Sequence, residues 1–153
     1  NIFISSSHEI IGVMDADLSH DPADFPRVAG PVIREEAELA IGSRHVAGGS
    51  IVDWSITRKM VSLIGRLLSL PLTSIHDPMS GFFITRKRVL ERGTLDPVGF
   101  KILLEVIVKC QPKGITEIPI TFRDRMAGES KLDYRVNINY VKHIMRLYLH
   151  KIR

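Results

Sequence analysis

Cysteine is nearly absent: Cys110 is the only one among 153 residues. No internal disulfide can form, and a reducing compartment is the expected home. No run of 18 uncharged apolar residues occurs, so nothing in the sequence has to span a bilayer. The start, NIFISSSHEI, has neither a basic n-region nor a small-residue cleavage site, so no secretory signal is expected there. Internal repeats and low-complexity segments are also missing. His20, His45 and His76 stand at no metal-ligand spacing and read as structural. These absences exclude a disulfide-stapled scaffold, a repeat array and a His/Cys metal centre. One further absence points somewhere: no acidic residue follows Asp133.

A hydrophobic content of 44% with 25% charged residues fits one globular domain with a real core. The net charge of +4 is unevenly spread, because Arg123 to Arg153 holds 8 Lys/Arg against 3 Asp/Glu. A basic end on a near-neutral body implies an anionic partner (phosphate, nucleic acid or a membrane surface) or else a solvated helix face.

The apolar run Ile10–Met14 reads as a strand buried on both faces. SHDPAD follows as a helix start, with Asp21 as N-cap, Pro22 at N1 and Asp24 favouring the dipole. That helix is expected to run to about Ala37, with a kink at Gly30-Pro31. Glu38–Arg44 is a second strand, and Trp54–Leu70 has helical periodicity that stops at Pro71. SGFFITRKRVL reads as a strand entering a helix, Phe100–Cys110 as a helix, and ITEIPITFRDR as a strand with alternating faces. MAGESKL is a loop, and a last helix runs from Val136 to the end. Strands alternating with helices imply an α/β layered domain.

In such sheets, ligands bind beyond the carboxyl ends of strands. VMDADLSHDP places Asp15 and Asp17 there. Two carboxylates so close repel one another, and a shared cation removes that repulsion. Oxygen-only ligands suit Mg²⁺ or Mn²⁺, which keeps water and shares substrate phosphates. The alternative is that one aspartate caps and the other faces solvent. Arg44 ends the next strand, Arg58 lies in WSITRK, and FRDRMAGESKL sets Arg123, Arg125 and Lys131 around Gly128. Arginine forks and glycine-containing turns suit phosphate oxygens.

MDADLSHDP, GSRHVAGGSIVDW, DPMSGFF and FRDRMAGESKL, in this order, resemble the polyprenyl-phosphate glycosyltransferases of the GT-A type, family 2. Within that family the motifs look like those of the dolichol-phosphate mannose synthases. The resemblance covers about Ile10 to Lys131. It implies a GT-A layered sheet with flanking helices. It also implies inverting transfer of a hexose, mannose above all, from a nucleotide sugar such as GDP-mannose to a polyprenyl or dolichyl monophosphate. UDP-glucose with a polyprenyl phosphate is the alternative within the family. Asp15 and Asp17 match the metal-binding pair. Ser19 stands where some relatives have a further metal ligand. Arg44, Arg58, Arg125 and Lys131 match residues that hold lipid phosphate and leaving diphosphate, with Ser130 beside them. Asp77 lies in the acceptor-side DPMSG segment and is the third candidate catalytic residue, with a turn or cap as its plain alternative. Family members begin with a strand and an acidic motif that bind the nucleotide base. Neither is seen before Asp15, so the resemblance implies a partial domain with its N-terminal half missing and an exposed sheet edge.

The expected organisation is a partial catalytic domain over 1–135 and a basic amphipathic helix over 136–153. Ile138, Val141, Met145, Tyr148 and Ile152 form its apolar stripe, and Asn139, Lys142, His143, Arg146, His150 and Arg153 the opposite face. That pattern fits an interfacial anchor or the lead-in to a membrane segment. The expected partners are nucleotide sugar, lipid phosphate and a membrane surface, with no nucleic acid, on the cytoplasmic face. Two readings from other classes stand beside this one. An aspartate-nucleophile phosphohydrolase would use Asp15, and a non-enzymatic anionic-membrane module would need no metal.

Overall fold

The computed structural model describes residues 7–96, 102–124 and 134–152; for 134–139 it describes the backbone course alone. The elements are β1 (Ile10–Met14), α1 (Phe25–Ile33), β2 (Leu39–Ser43), β3 (Ser50–Ile51), α2 (Ile56–Ser69), β4 (Phe82–Arg86), α3 (Lys87–Leu90), α4 (Ile102–Glu105), β5 (Ile115–Pro119), β6 (Thr121–Phe122) and α5 (Tyr134–Ile152). A 3₁₀ turn, Pro22–Asp24, leads into α1, and α4 continues as a π-helical segment, Val106–Cys110.

The main sheet has the order β1-β4-β2-β5. β4 runs antiparallel to both neighbours, and β2 and β5 are parallel, with Leu39 opposite Ile115 and Ser43 opposite Pro119. β3 and β6 form a second, two-stranded sheet. β2 and β4 are buried throughout, which is why LAIGS and FFIT read as continuous apolar runs. Successive side chains face opposite layers. Phe82, Ile84 and Ala40 pack on Val28, Ala29 and Val32 of α1. Phe83, Leu39 and Ile41 pack on Leu103 and Ile107 on the other side. The expected α/β layers are present, with helices on both faces of a mixed sheet.

Three local expectations are corrected. β1 is only partly buried, because among the described residues it ends the strand order and pairs with β4 alone. α1 stops at Ile33 rather than Ala37. Glu36 N–H donates to Pro31 O and Glu35 N–H to Val32 O, closing a Schellman turn with Glu35 at φ +63°. ITEIPITFRDR is two strands, since Ile120 turns aside to donate its N–H to Ser43 O and Thr121–Phe122 then joins β3.

α5 packs through a seam that, among the described side chains, shares Tyr148 alone with the expected stripe. Ile144 and Leu147 enter the cluster of Leu72, Leu104 and Val108, and His143 is buried with them. Tyr140 and Tyr148 donate their hydroxyls to Gly65 O and Leu68 O of α2, at 2.9 and 2.8 Å. Gly65 permits this approach, because a Cβ there would stand 3.2 Å from the Tyr140 ring. Val141, Met145 and Ile152 of the stripe stay exposed. The side chains of Ile138, Asn139 and Arg153 lie outside the described residues.

Candidate functional site

The register brings the carboxyl ends of β1, β2 and β5 to one edge, together with the loop that enters β4. Asp15 follows β1, and its N–H donates to Gly81 O at 3.1 Å. A Cβ on Gly81 would stand 2.0 Å from Asp15 Oδ2, so the glycine is what makes room for that carboxylate. The chain then turns through Leu18 at φ +62°, and Ser19 N–H donates to Asp17 Oδ1 at 3.1 Å. This turn keeps Asp17, like Asp15, in the loop that follows β1 at the rim of the sheet.

Behind them, Ser19 and His20 are buried. Ser19 Oγ and both ring nitrogens of His20 have no hydrogen-bond partner among the described residues. The His20 ring meets Phe82 and Phe122 edge-on, at 5.5 and 5.0 Å. Burial pushes its imidazole below the usual histidine range, with Asp15 pulling the other way. Ser19 O accepts from Arg123 N at 3.0 Å, which ties this turn to the strand leading into FRDR.

Arg44, at the end of β2, is gripped by Asp77. Its Nε and Nη2 donate to Oδ2 and Oδ1 at 2.7 Å each, and its backbone N–H donates to Oδ2 at 3.0 Å. Both residues are buried. Burial alone would raise the Asp77 pKa, but the Arg44 hydrogen bonds and charge hold it below the ordinary carboxylate value. Asp77 is fixed in turn by Glu117 of β5, whose Oε1 accepts Asp77 N–H at 3.0 Å while Oε2 accepts His76 N–H at 2.9 Å. Both Asp77 oxygens are thus engaged by Arg44.

Arg58 sits in the first turn of α2, where Ser55 Oγ caps its N–H. Its Nη1 pairs with Asp124. The Arg44 and Arg58 guanidiniums both lie over Trp54, with Cζ at 5.5 and 4.4 Å from the ring, and Arg44 also lies 5.1 Å from the Phe122 ring. Asp15, Asp17, Ser19, Arg44 and Asp77 therefore all belong to the loops of one sheet edge, and Arg58, in the first turn of α2, is joined to Arg44 through the Trp54 ring. Arg125, Ser130 and Lys131 lie outside the described residues. Sequence reasoning passed over Trp54 and Asp124, although both stand inside quoted motifs: Trp54 opens WSITRK, and Asp124 separates the arginines of FRDR.

A divalent cation fits the donor set at the rim. Asp15 and Asp17 offer hard oxygens, and the buried Ser19 hydroxyl, two residues after Asp17, has no partner among the described residues. Among the described residues no cluster of three or more His, Cys, Asp or Glu could hold a metal by itself. Phosphate oxygens and water would complete the shell, the manner in which Mg²⁺ is usually bound.

Comparison with known proteins bears on this geometry. The sequence profile described as Glycosyl transferase family 2 matches residues 3–94. The dolichol-phosphate mannosyltransferase of Pyrococcus furiosus is 41% identical over 149 residues, covering 95% of this chain and 42% of that protein. The enzyme of the same name from Saccharomyces cerevisiae is 35% identical, covering 97% of this chain and 58% of its own. The undecaprenyl-phosphate mannosyltransferase of Micrococcus luteus is 34% identical, with coverages of 84% and 55%. The chain spans about half the length of these curated relatives. Among solved structures, glucosyl-3-phosphoglycerate synthase from Mycobacterium tuberculosis, in complex with Mn²⁺, UDP-glucose and phosphoglyceric acid, superposes with a TM-score of 0.67 at 14% identity. It covers 95% of this chain and 51% of that one. The likeness is one of fold, the GT-A glycosyltransferase fold.

Proposed function

The chain belongs to glycosyl transferase family 2, and we propose that the protein carrying it transfers mannose from a nucleotide sugar of the GDP-mannose type to a dolichyl or other polyprenyl monophosphate, with inversion. One observation carries this reading: a carboxylate pair and two guanidiniums share one sheet edge, in a chain 34–41% identical to polyprenyl-phosphate mannosyltransferases. Family membership leaves no role for an aspartate-nucleophile phosphohydrolase.

The acceptor phosphate is already ionised at neutral pH, so the nucleophile needs no strong base. Negative charge on the departing diphosphate is what needs stabilising. A cation held by Asp15 and Asp17 would supply Lewis-acid stabilisation there. Mn²⁺ or Mg²⁺ accompanies UDP in the solved fold neighbour, which supports that choice. Arg58, with Arg125 and Lys131, holds and aims the acceptor phosphate, and Arg44 completes the set. Asp77 serves by positioning Arg44, since both its oxygens are spent on that side chain.

A membrane surface is part of the same reading, because a polyprenyl acceptor stays in the bilayer. α2 exposes Ile56, Met60, Leu63, Ile64 and Leu67, and α5 exposes Val141, Met145, Leu149 and Ile152. Neither helix contains an acidic residue, and α2 alone carries Arg58, Lys59 and Arg66. Among the described residues no helix is long and apolar enough to cross a membrane. Exposed apolar side chains with a basic surround support binding at an anionic interface, on the cytoplasmic face, where each Lys or Arg adds about 1 kcal/mol.

The test is transfer by the full-length enzyme to dolichyl phosphate, with GDP-mannose and UDP-glucose compared and the anomer of the product determined. Chelator-sensitive formation of a β-mannosyl phosphate lipid is the expected result. Phosphate release without sugar transfer would overturn the reading.

A further inference from the structure

Trp54 has no role in the account so far, yet among the described residues it is the side chain whose ring lies under both Arg44 and Arg58. The two guanidiniums start from different elements: Arg44 leaves the end of β2, and Arg58 the first turn of α2. Each is tied at one edge by a carboxylate, Arg44 by Asp77 and Arg58 by Asp124. A further carboxylate would steady them at the expense of the N–H donors that a phosphate needs. An aromatic face attracts the cation and leaves those edge donors unused. The indole is itself held, edge-on to Phe122 at 5.4 Å and 82°, and its buried Nε1–H has no partner among the described residues. It stands immediately before Ser55, the N-cap of α2, so its backbone is anchored at the start of the helix that carries Arg58.

We propose that Trp54 is a positioning residue for the acceptor-phosphate site, a shared platform that orders the Arg44 and Arg58 guanidiniums before phosphate arrives. This rests on the phosphate-binding reading of the two arginines given above. Ordering them beforehand removes the loss of side-chain freedom from the binding step, so the effect belongs in acceptor affinity rather than in donor affinity or metal binding.

The experiment uses the full-length enzyme with Trp54→Leu, Trp54→Phe and Arg58→Ala, and reads KM for acceptor and donor separately. Trp54→Leu is expected to raise the acceptor KM roughly ten-fold with the donor KM unchanged, and Trp54→Phe to recover most of it. Fluorinated tryptophans at position 54 keep the shape of the ring while draining its face of charge. The acceptor KM should climb with each added fluorine, which a packing role would not produce. Equal defects in the Leu and Phe variants, or no trend with fluorination, would overturn the proposal. If Arg58→Ala raises the acceptor KM while Trp54→Leu does not, the platform alone is wrong. If Arg58→Ala leaves the acceptor KM unchanged, the phosphate reading itself fails and the platform with it.

Discussion

Arg44–Asp77 and Asp15–Asp17 lie at the same sheet edge and are built on opposite terms. The first is a pair of unlike charges, buried and joined by three hydrogen bonds. The second is a pair of like charges, with Asp15 exposed and Asp17 half-buried at the mouth of a turn. A buried ion pair supplies its own counter-ion and repays its desolvation only while both partners are present. A rim pair stands where a cation from solution can reach it. Position in the fold thus separates an ion pair built into the interior from a carboxylate pair set at the rim.

The largest break in this comparison comes from neutralising one aspartate of each pair. Asp77→Asn keeps the shape and strands the Arg44 charge in the interior, which should cost about 3–5 kcal/mol of stability by thermal or urea unfolding. Asp17→Asn, at the half-buried rim, should cost far less stability than that, while lowering metal-dependent transfer at least about a hundred-fold. Equal stability losses in the two variants would erase the distinction.

Lowering the pH separates the groups more gently. Burial depresses the pKa of His45 and His143 below the ordinary 6.5, and His143 faces Glu105, Lys109, Arg146 and Asp96. Between the folded and unfolded pKa values the unfolded chain binds more protons, so stability falls as pH drops below about 6.5. The slope is at most about 1.4 kcal/mol per pH unit for each histidine. The Asp77 pKa is also depressed, but for a carboxylate that means stability held above its unfolded pKa and lost only at strongly acid pH. Unfolding midpoints from pH 7 to 5 should therefore drift down in the native enzyme and drift less in His143→Gln, with the Arg44–Asp77 pair still intact.

Local rules made several of these features legible from sequence. Asp21 caps the turn before α1, with its carboxylate accepting Ala23 N–H and Pro22 at the first position, as SHDPAD indicates. The α2 boundaries follow the periodicity of WSITRKMVSLIGRLLSL to within two residues. The Asp15–Asp17 pair was visible because an apolar strand ends there. Less was visible where the cause is tertiary. Asp77 and Arg44 are 33 residues apart in sequence, so nothing local shows that each satisfies the other. The end of α1 was hidden because Glu35, not glycine, takes the left-handed position. The π-helical stretch after α4 has no local signal either. Trp54 escaped because it opens a stretch of helical periodicity and carries no signal of its own there, and only the fold sets two arginines against it. The seam of α5 escaped because helical spacing fits two faces, and the position of α2 decides which one is buried.

The central claim is a division of labour along one edge: carboxylates for the cation and leaving diphosphate, guanidiniums for the acceptor phosphate. It is tested most directly by measuring, in the full-length enzyme, the Mn²⁺ dependence and both substrate KM values of Asp17→Asn and Arg58→Lys. Arg58→Lys keeps the charge but loses the planar fork. The account predicts that Arg58→Lys raises the acceptor KM and leaves Mn²⁺ activation unchanged, whereas Asp17→Asn destroys Mn²⁺ activation. A shift in Mn²⁺ dependence caused by Arg58→Lys, or chelator-sensitive transfer that survives in Asp17→Asn, would contradict it.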